Sequence, residues 1–304
     1  MEIELENLNL TLTSPRQRTK STITSYLHAG KTFLKFLNGA TMPTGKDEIA
    51  IREAGRIFRR YFLHRREKGN SERTLTHEFT RLKKLAVAND WPWPFTCDDR
   101  PRSEEEPFTP AFTEAEIQAL IQARDEYSKR GCFYLALSTT WGLRREEIVR
   151  IRKSDYNEQT IKIKIAKQKE LVRRIEHTIP GEIKPILLNY DPKLNAVTNL
   201  GPIFHRILDK ADLGPRKGYG WHSIRRSLRT LLEWNLAEAR LPPSLVADFM
   251  GWSKTQKGIV YGGSPMLGLY DHPEIMSSDP FAIDRLVLNV HPFIKIWEGQ
   301  QRLF

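Results

Sequence analysis

The residues of this chain best suited to chemistry begin at Gly142-Leu143-Arg144-Arg145-Glu146-Glu147-Ile148. They follow the apolar run Phe133-Tyr134-Leu135-Ala136-Leu137 and open a new amphipathic segment. A glycine at that junction permits a tight connection between two helices, with a positive φ where the turn needs one. Arg144 then projects from the first turn of the second helix. There a planar fork of five donors stands beside a positive dipole end, which suits a phosphate. Further along, Trp221-His222-Ser223-Ile224-Arg225 starts another helix, and the three-residue spacing puts His222 and Arg225 on one face. Cys97 and Cys132 make no metal-ligand pattern, and no Gly-x-x-x-x-Gly-Lys loop occurs.

Composition bounds what these groups act on. The 304 residues are 39% hydrophobic and 28% charged, as in a soluble globular protein with room for two cores. The apolar runs are too short for a membrane span, and the acidic start Met1–Glu6 is no signal peptide, so a reducing cytoplasm is expected. A formal charge of +11 favours a polyanionic partner, most simply nucleic acid. The excess is +7 over residues 1–95, −3 over 96–112 and +7 over 113–304. Two basic lobes around an acidic connector imply a clamp on one polyanion.

The elements that must position the chemistry follow from periodicity. Residues 20–38, 47–68 and 72–89 each place apolar side chains at helical spacing with arginines and lysines around them, giving a small helical domain over 1–95. Arg56, Arg60 and Lys83 are its candidate contacts to nucleic acid. Trp91-Pro92-Trp93-Pro94 ends the helices, and 96–112, rich in Pro, Asp and Glu, reads as a linker. Thr113-Glu114-Ala115-Glu116 is a capping box that opens a second domain, 113–274. Within it Ile161-Lys162-Ile163-Lys164-Ile165 alternates as a half-buried strand, and 172–180 returns as its partner. The turn between them carries Lys167 and Lys169. Helices resume around 202–211, at 221 and at 244–250. His177, where the chain leaves the hairpin, could approach the same phosphate as the arginines. The other histidines read as surface or core residues.

In order and spacing, Gly142-Leu143-Arg144 with Glu147-Ile148, a lysine at a hairpin tip, His222-Ser223-Ile224-Arg225, Met250-Gly251-Trp252 and a tyrosine nine residues later resemble the tyrosine recombinases, the class of phage integrases and dimer resolvases. The motifs span residues 113 to about 272, while 14–95 fit that family's helical core-binding domain in general style. The resemblance implies a mostly helical protein: a core-binding domain and an α+β catalytic domain with a small antiparallel sheet, closing on double-stranded DNA as a C-shaped clamp. It implies site-specific cleavage and rejoining through a 3′-phosphotyrosyl link, without metal, ATP or other cofactor, in a tetramer on two sites. Arg144 and Arg225 would grip the phosphate oxygens with His222, and Glu147 would position the first arginine. Lys167, with Lys169 as second choice, would protonate the departing 5′ oxygen. Trp252 stands where a second histidine is usual; its indole N–H can donate but cannot act as an acid.

Two tyrosines compete for the role of nucleophile. Tyr261 has the family's spacing from Trp252, although Gly262-Gly263 follow it. Tyr270 sits in Tyr270-Asp271-His272, which resembles the family's tyrosine surroundings but needs a nine-residue insertion. The apolar tail, 275–304, packs on its own domain or docks on a neighbouring protomer. Three alternatives share these residues in part: a catalytically silent DNA-binding regulator, a type IB topoisomerase or telomere resolvase, and a metal-dependent nuclease.

Overall fold

The computed structural model describes residues 2–13, 20–102, 110–165, 174–192, 199–251, 279 and 281–298. The chain divides into two compact units, Met1–Pro107 and Phe108–Phe304. As expected, it is mostly helical with one small antiparallel sheet.

The first unit holds α1 (Glu2–Thr13), α2 (Lys20–Leu37), α3 (Glu48–Glu67) and α4 (Glu72–Ala88). Asp47 caps α3 by accepting the Ala50 N–H at 2.9 Å, and Ser71 caps α4 by accepting from Thr74. Gly69, at φ +74°, makes the stop between them. The helix α1 was not legible in the sequence. Its Ile3, Leu5, Leu8, Leu10 and Leu12 fall at a mixture of two- and three-residue spacings that identifies no single face. Packing decides: Leu8 and Leu12 are fully buried, and Asn89 on the loop after α4 donates to the Glu4 carbonyl at 3.1 Å.

This core is aromatic, with Phe33 stacked on Phe58 at 5.0 Å and Phe79 edge-on to Trp93 at 5.0 Å. It also contains a buried charge. Glu78 accepts from the Tyr61 hydroxyl at 3.0 Å and from Arg65 Nε and Nη2 at 3.0 and 2.6 Å, tying α3 to α4. Removing one partner of such a group orphans the others, so Glu78→Ala should cost about 3–5 kcal/mol, read as a lowered urea midpoint of the full chain.

The expected 96–112 linker has a contact to a unit near each of its ends. Thr76 Oγ1 donates to the Pro101 carbonyl, which fastens the start of that stretch to the first unit. Its end belongs to the second unit, where Phe112 is buried and its carbonyl accepts from Ser227 Oγ at 2.7 Å.

The second unit starts at α5 (Glu114–Gln122) behind the expected capping box, with the Thr113 N–H donating to Glu116 Oε2 at 2.8 Å. Then come α6 (Lys129–Trp141), the single turn α7 (Arg145–Ile148), β1 (Thr160–Lys164) and β2 (Arg174–Thr178). The strands pair antiparallel with Ile161 opposite His177 and Ile163 opposite Ile175, so alternate residues of β1 enter the core. Next are α8 (Lys184–Leu188), α9 (Leu200–Lys210), α10 (Trp221–Glu238) and α11 (Leu245–Phe249), and last α12 (Ala282–Asn289) and α13 (Ile294–Glu298). No helix among the described residues is long and apolar enough to cross a membrane.

The described part of the C-terminal tail is core of its own unit. Val287, Phe293 and Trp297 are buried, and the Trp297 indole donates to Thr139 at 3.2 Å. His291 is enclosed too: Nε2 lies 2.9 Å from the Thr140 carbonyl, and Nδ1 accepts the Phe293 N–H at 3.1 Å. The second bond requires the neutral ring, because Nδ1 accepts only when it carries no proton. Burial therefore pushes His291 down to about 4, against the weaker pull of the Thr140 carbonyl. The unfolded chain takes up this proton near the ordinary histidine value, so the native state loses stability as pH falls from about 6.5 to about 4. The loss amounts to about 3 kcal/mol. His291→Gln, which keeps a donor and an acceptor, should flatten this acid limb when unfolding free energies at pH 7 and 4.5 are compared with those of the wild type.

Candidate active site

The expected glycine turn is present. Gly142 ends α6 at φ +58°, and an added Cβ would come within 2.6 Å of Met250 Cε. Leu143 and Ile148 are buried on either side of Arg144 and pin the segment. Arg144 itself is an extended N-cap rather than a first-turn residue, and α7 has only four residues. The dipole contribution expected there is accordingly small, because a macrodipole needs several aligned turns. Glu147 does the positioning. Its Oε2 accepts the Arg144 N–H at 2.7 Å and its Oε1 accepts from Arg144 Nη1 at 2.8 Å, with both side chains largely buried.

Arg225 comes from the inner side of α10, which also buries Trp221, Ile224, Leu228 and Leu232. Its Nη1 donates to the Gly142 carbonyl and its Nη2 to the Met250 carbonyl at 3.2 Å. These acceptors lie where α6 and α11 end, among carbonyls that a helix leaves unsatisfied. Two helix ends thus hold one planar guanidinium in a fixed orientation. Only 8% exposed, it is pushed down to about 9, first by burial and then by Arg144 beside it, against the pull of Glu147. It still carries its charge at neutral pH. Two adjacent cations and one carboxylate leave this pocket with an excess of one positive charge, which an anion would relieve.

His222 is exposed one turn before Arg225 on α10. The structure therefore gathers Arg144, Glu147, Arg225 and His222 in one unit, with Arg144 near enough to Arg225 to depress it. Lys167, Lys169, Trp252, Tyr261 and Tyr270 lie outside the described residues. The chain leading to Trp252 is fixed by Gly251, at φ +68°, where an added Cβ would meet Ile165 and Ile175 at 2.6 Å. The last described residue before Trp252 thus rests on the end of the hairpin where the strands enter their turn.

His177 does not approach the phosphate grip as an exposed group. It is 2% exposed, and its Nδ1 is bonded to Asp284 at 2.8 Å. No group of three or more His, Cys, Asp or Glu placed to hold a metal occurs among the described residues.

In the first unit, Arg56 and Arg60 lie exposed on α3, and Lys83 lies exposed on α4. None of the three lines the polar cavity of that unit. This cavity, about 330 Å³, is walled by Ser21 and Ser25 of α2, by His77, Thr80 and Arg81 of α4, and by Arg100. Hydroxyls with two arginines give it the donor chemistry that suits a phosphate. The sequence signal for it was small polar residues recurring at helical spacing, which the more numerous arginines of α3 obscured.

The fold is that of the tyrosine recombinases and integrases. The chain is similar to the XerH site-specific recombinase bound to difH substrate before cleavage, with a TM-score of 0.59, 14% identity, and coverage of 90% of this chain and 94% of that one. Against a lambda integrase (75–356) dimer bound to a COC′ core site the TM-score is 0.60 at 13% identity, covering 87% and 96%. Against the Tn1549 transposon integrase (82–397) in complex with circular intermediate DNA it is 0.61 at 15% identity, covering 89% and 98%. No protein-family model and no curated protein sequence matches the chain.

Proposed function

We propose that the chain is a site-specific DNA recombinase that breaks and rejoins duplex DNA through a 3′-phosphotyrosyl intermediate. The observation that carries this reading is the Arg144–Arg225 pair. Two buried guanidiniums, oriented by Glu147 and by two helix-end carbonyls, form a preorganised receptor for an anion whose charge grows as it reacts. The likeness to recombinases and integrases solved on DNA supports duplex DNA as the source of that anion.

In this mechanism Arg144 and Arg225 hold the non-bridging oxygens of one phosphodiester, and His222 donates to the same group or assists proton transfer. The Tyr261 hydroxyl attacks phosphorus, and its proton passes to His222 or to water as the Oη–P bond forms. The P–O5′ bond breaks, and its electron pair stays on O5′, which takes a proton from the Lys167 ammonium. A free phenol has a pKa near ~10, so the cationic cluster is what makes Tyr261 reactive at neutral pH. Rejoining is the same step reversed by another strand's 5′ hydroxyl. Phosphate contacts from both basic units supply most of the affinity and make it strongly salt-dependent. Four protomers act on two sites, and the reaction takes place in the cytoplasm on a mobile element.

Plasmids carrying one or two copies of the junction that flanks the coding segment test this reading in chelator. Exchange of flanking DNA between paired junctions is the expected product. Relaxation at a single junction would point to a topoisomerase, and binding without cleavage to a silent regulator.

A further inference from the structure

The two carbonyls that hold Arg225 are themselves held from behind. Gly142 and Met250 each accept from one nitrogen of the guanidinium, so the direction of the fork follows from the spacing of two helix ends. The residues just before them, Trp141 and Phe249, are 1% and 2% exposed. From β2, the ring of His177 lies 6.2 Å from that of Trp141 and 5.0 Å from that of Phe249, within aromatic contact of both. His177 therefore joins the end of α6 to the end of α11.

That ring is fixed in turn. Its Nδ1 lies 2.8 Å from Asp284 Oδ1, and Asp284 Oδ2 accepts the Thr178 N–H at 2.7 Å. A carboxylate only accepts, so Nδ1 carries the proton, and the orientation of the ring is set from α12. Asp284 is 5% exposed. A buried pair of this kind stabilises no better than apolar side chains of the same shape, but its bonds are directional. A second support stands beside it: His291 Nε2 lies 2.9 Å from the Thr140 carbonyl, and its ring lies 6.4 Å from that of Phe249. With His291 in place, loss of the pair should shift the cradle rather than dismantle it.

We propose that His177 and Asp284 are positioning residues for the phosphate grip: a ring oriented by a carboxylate sets the spacing of the α6 and α11 ends and, through their carbonyls, the direction of the Arg225 guanidinium. The inference rests on the strand-transfer reading above. It differs from a general role in folding because the whole effect of the pair on the chemical step passes through Arg225.

A double-mutant cycle tests this on a nicked suicide duplex, with adduct formation followed in a single turnover at saturating protein. Asp284→Ala in the otherwise wild-type chain should slow the step at least ~10-fold, the scale on which a small misplacement of a reacting group acts. The same substitution made in Arg225→Ala should change the rate by no more than roughly twofold, because the group it would misplace is already gone. Asp284→Asn, whose amide oxygen still accepts the Thr178 N–H, should recover most of the rate. DNA affinity should stay unchanged throughout, since it is spread over many phosphate contacts. Slowing of equal size in both backgrounds, or none in the wild-type background, overturns the inference. If Asp284→Ala fails to fold, His177→Gln, which keeps a donor toward Asp284 but removes the ring beside Trp141 and Phe249, is held to the same cycle. A wild type that forms no adduct defeats the strand-transfer reading itself, and this inference with it.

Discussion

Arg225→Ala should lower the single-turnover rate of strand cleavage by at least ~10²–10³ while leaving most of the DNA affinity, since removing one preorganised donor costs that much in other active sites. Affinity is spread over many phosphate contacts across a chain of net charge +11, so one cation matters little to it. The chemical step is different. The guanidinium sits between the Gly142 and Met250 carbonyls, held before any substrate arrives, so no reorganisation is needed as charge develops on the phosphate. Arg225→Lys should fail almost as badly, because one ammonium on a flexible stem cannot reproduce a planar fork that spans two carbonyls. Thermal melting of each variant separates loss of chemistry from loss of fold. A variant that stays folded, binds, and cleaves within a fewfold of wild type would remove Arg225 from the mechanism.

The second large effect is expected at the nucleophile. In the proposed mechanism Tyr261→Phe removes the atom that forms the covalent bond, and neither a neighbouring side chain nor water would give the same linkage. Loss should be complete rather than graded, and DNA binding should persist. Tyr270→Phe should leave cleavage near the wild-type level. Tyr261 lies nine residues beyond Trp252, and Gly251 packs against Ile165 and Ile175 where the two strands enter their turn. That places the start of this spacing on the same elements that carry the arginines and the lysine-bearing turn.

Much of this architecture was legible because local chemistry and tertiary packing agree. The capping box at Thr113, the caps at Asp47 and Ser71, the alternation of β1 and the positive-φ turn at Gly142 are each dictated within a few residues. Glu147 as the positioner of Arg144 was readable for the same reason, being three residues away. What the sequence concealed depends on long-range geometry. The Arg225 acceptors are backbone carbonyls 83 and 25 residues away, and a carbonyl leaves no mark on residue identity. His177 and Asp284 are 107 residues apart, and either alone reads as an ordinary polar residue. The helix α1 and the buried tail behave alike: Leu8, Leu12, Phe293 and Trp297 show their role only once the surfaces they cover exist. In the first unit, counting arginines drew attention to α3, whereas the polar recess is built from α2 and α4.

The most direct test of the central claim is a denaturing gel. Wild type, Tyr261→Phe and Tyr270→Phe are incubated in chelator with a nicked suicide duplex carrying the junction, and protein-linked DNA is scored. The expected result is a covalent adduct with wild type and Tyr270→Phe and none with Tyr261→Phe. An adduct lost only in Tyr270→Phe would keep the chemistry and move the nucleophile. Tight binding by wild type with no adduct at all would contradict the account and leave a DNA-binding regulator in its place.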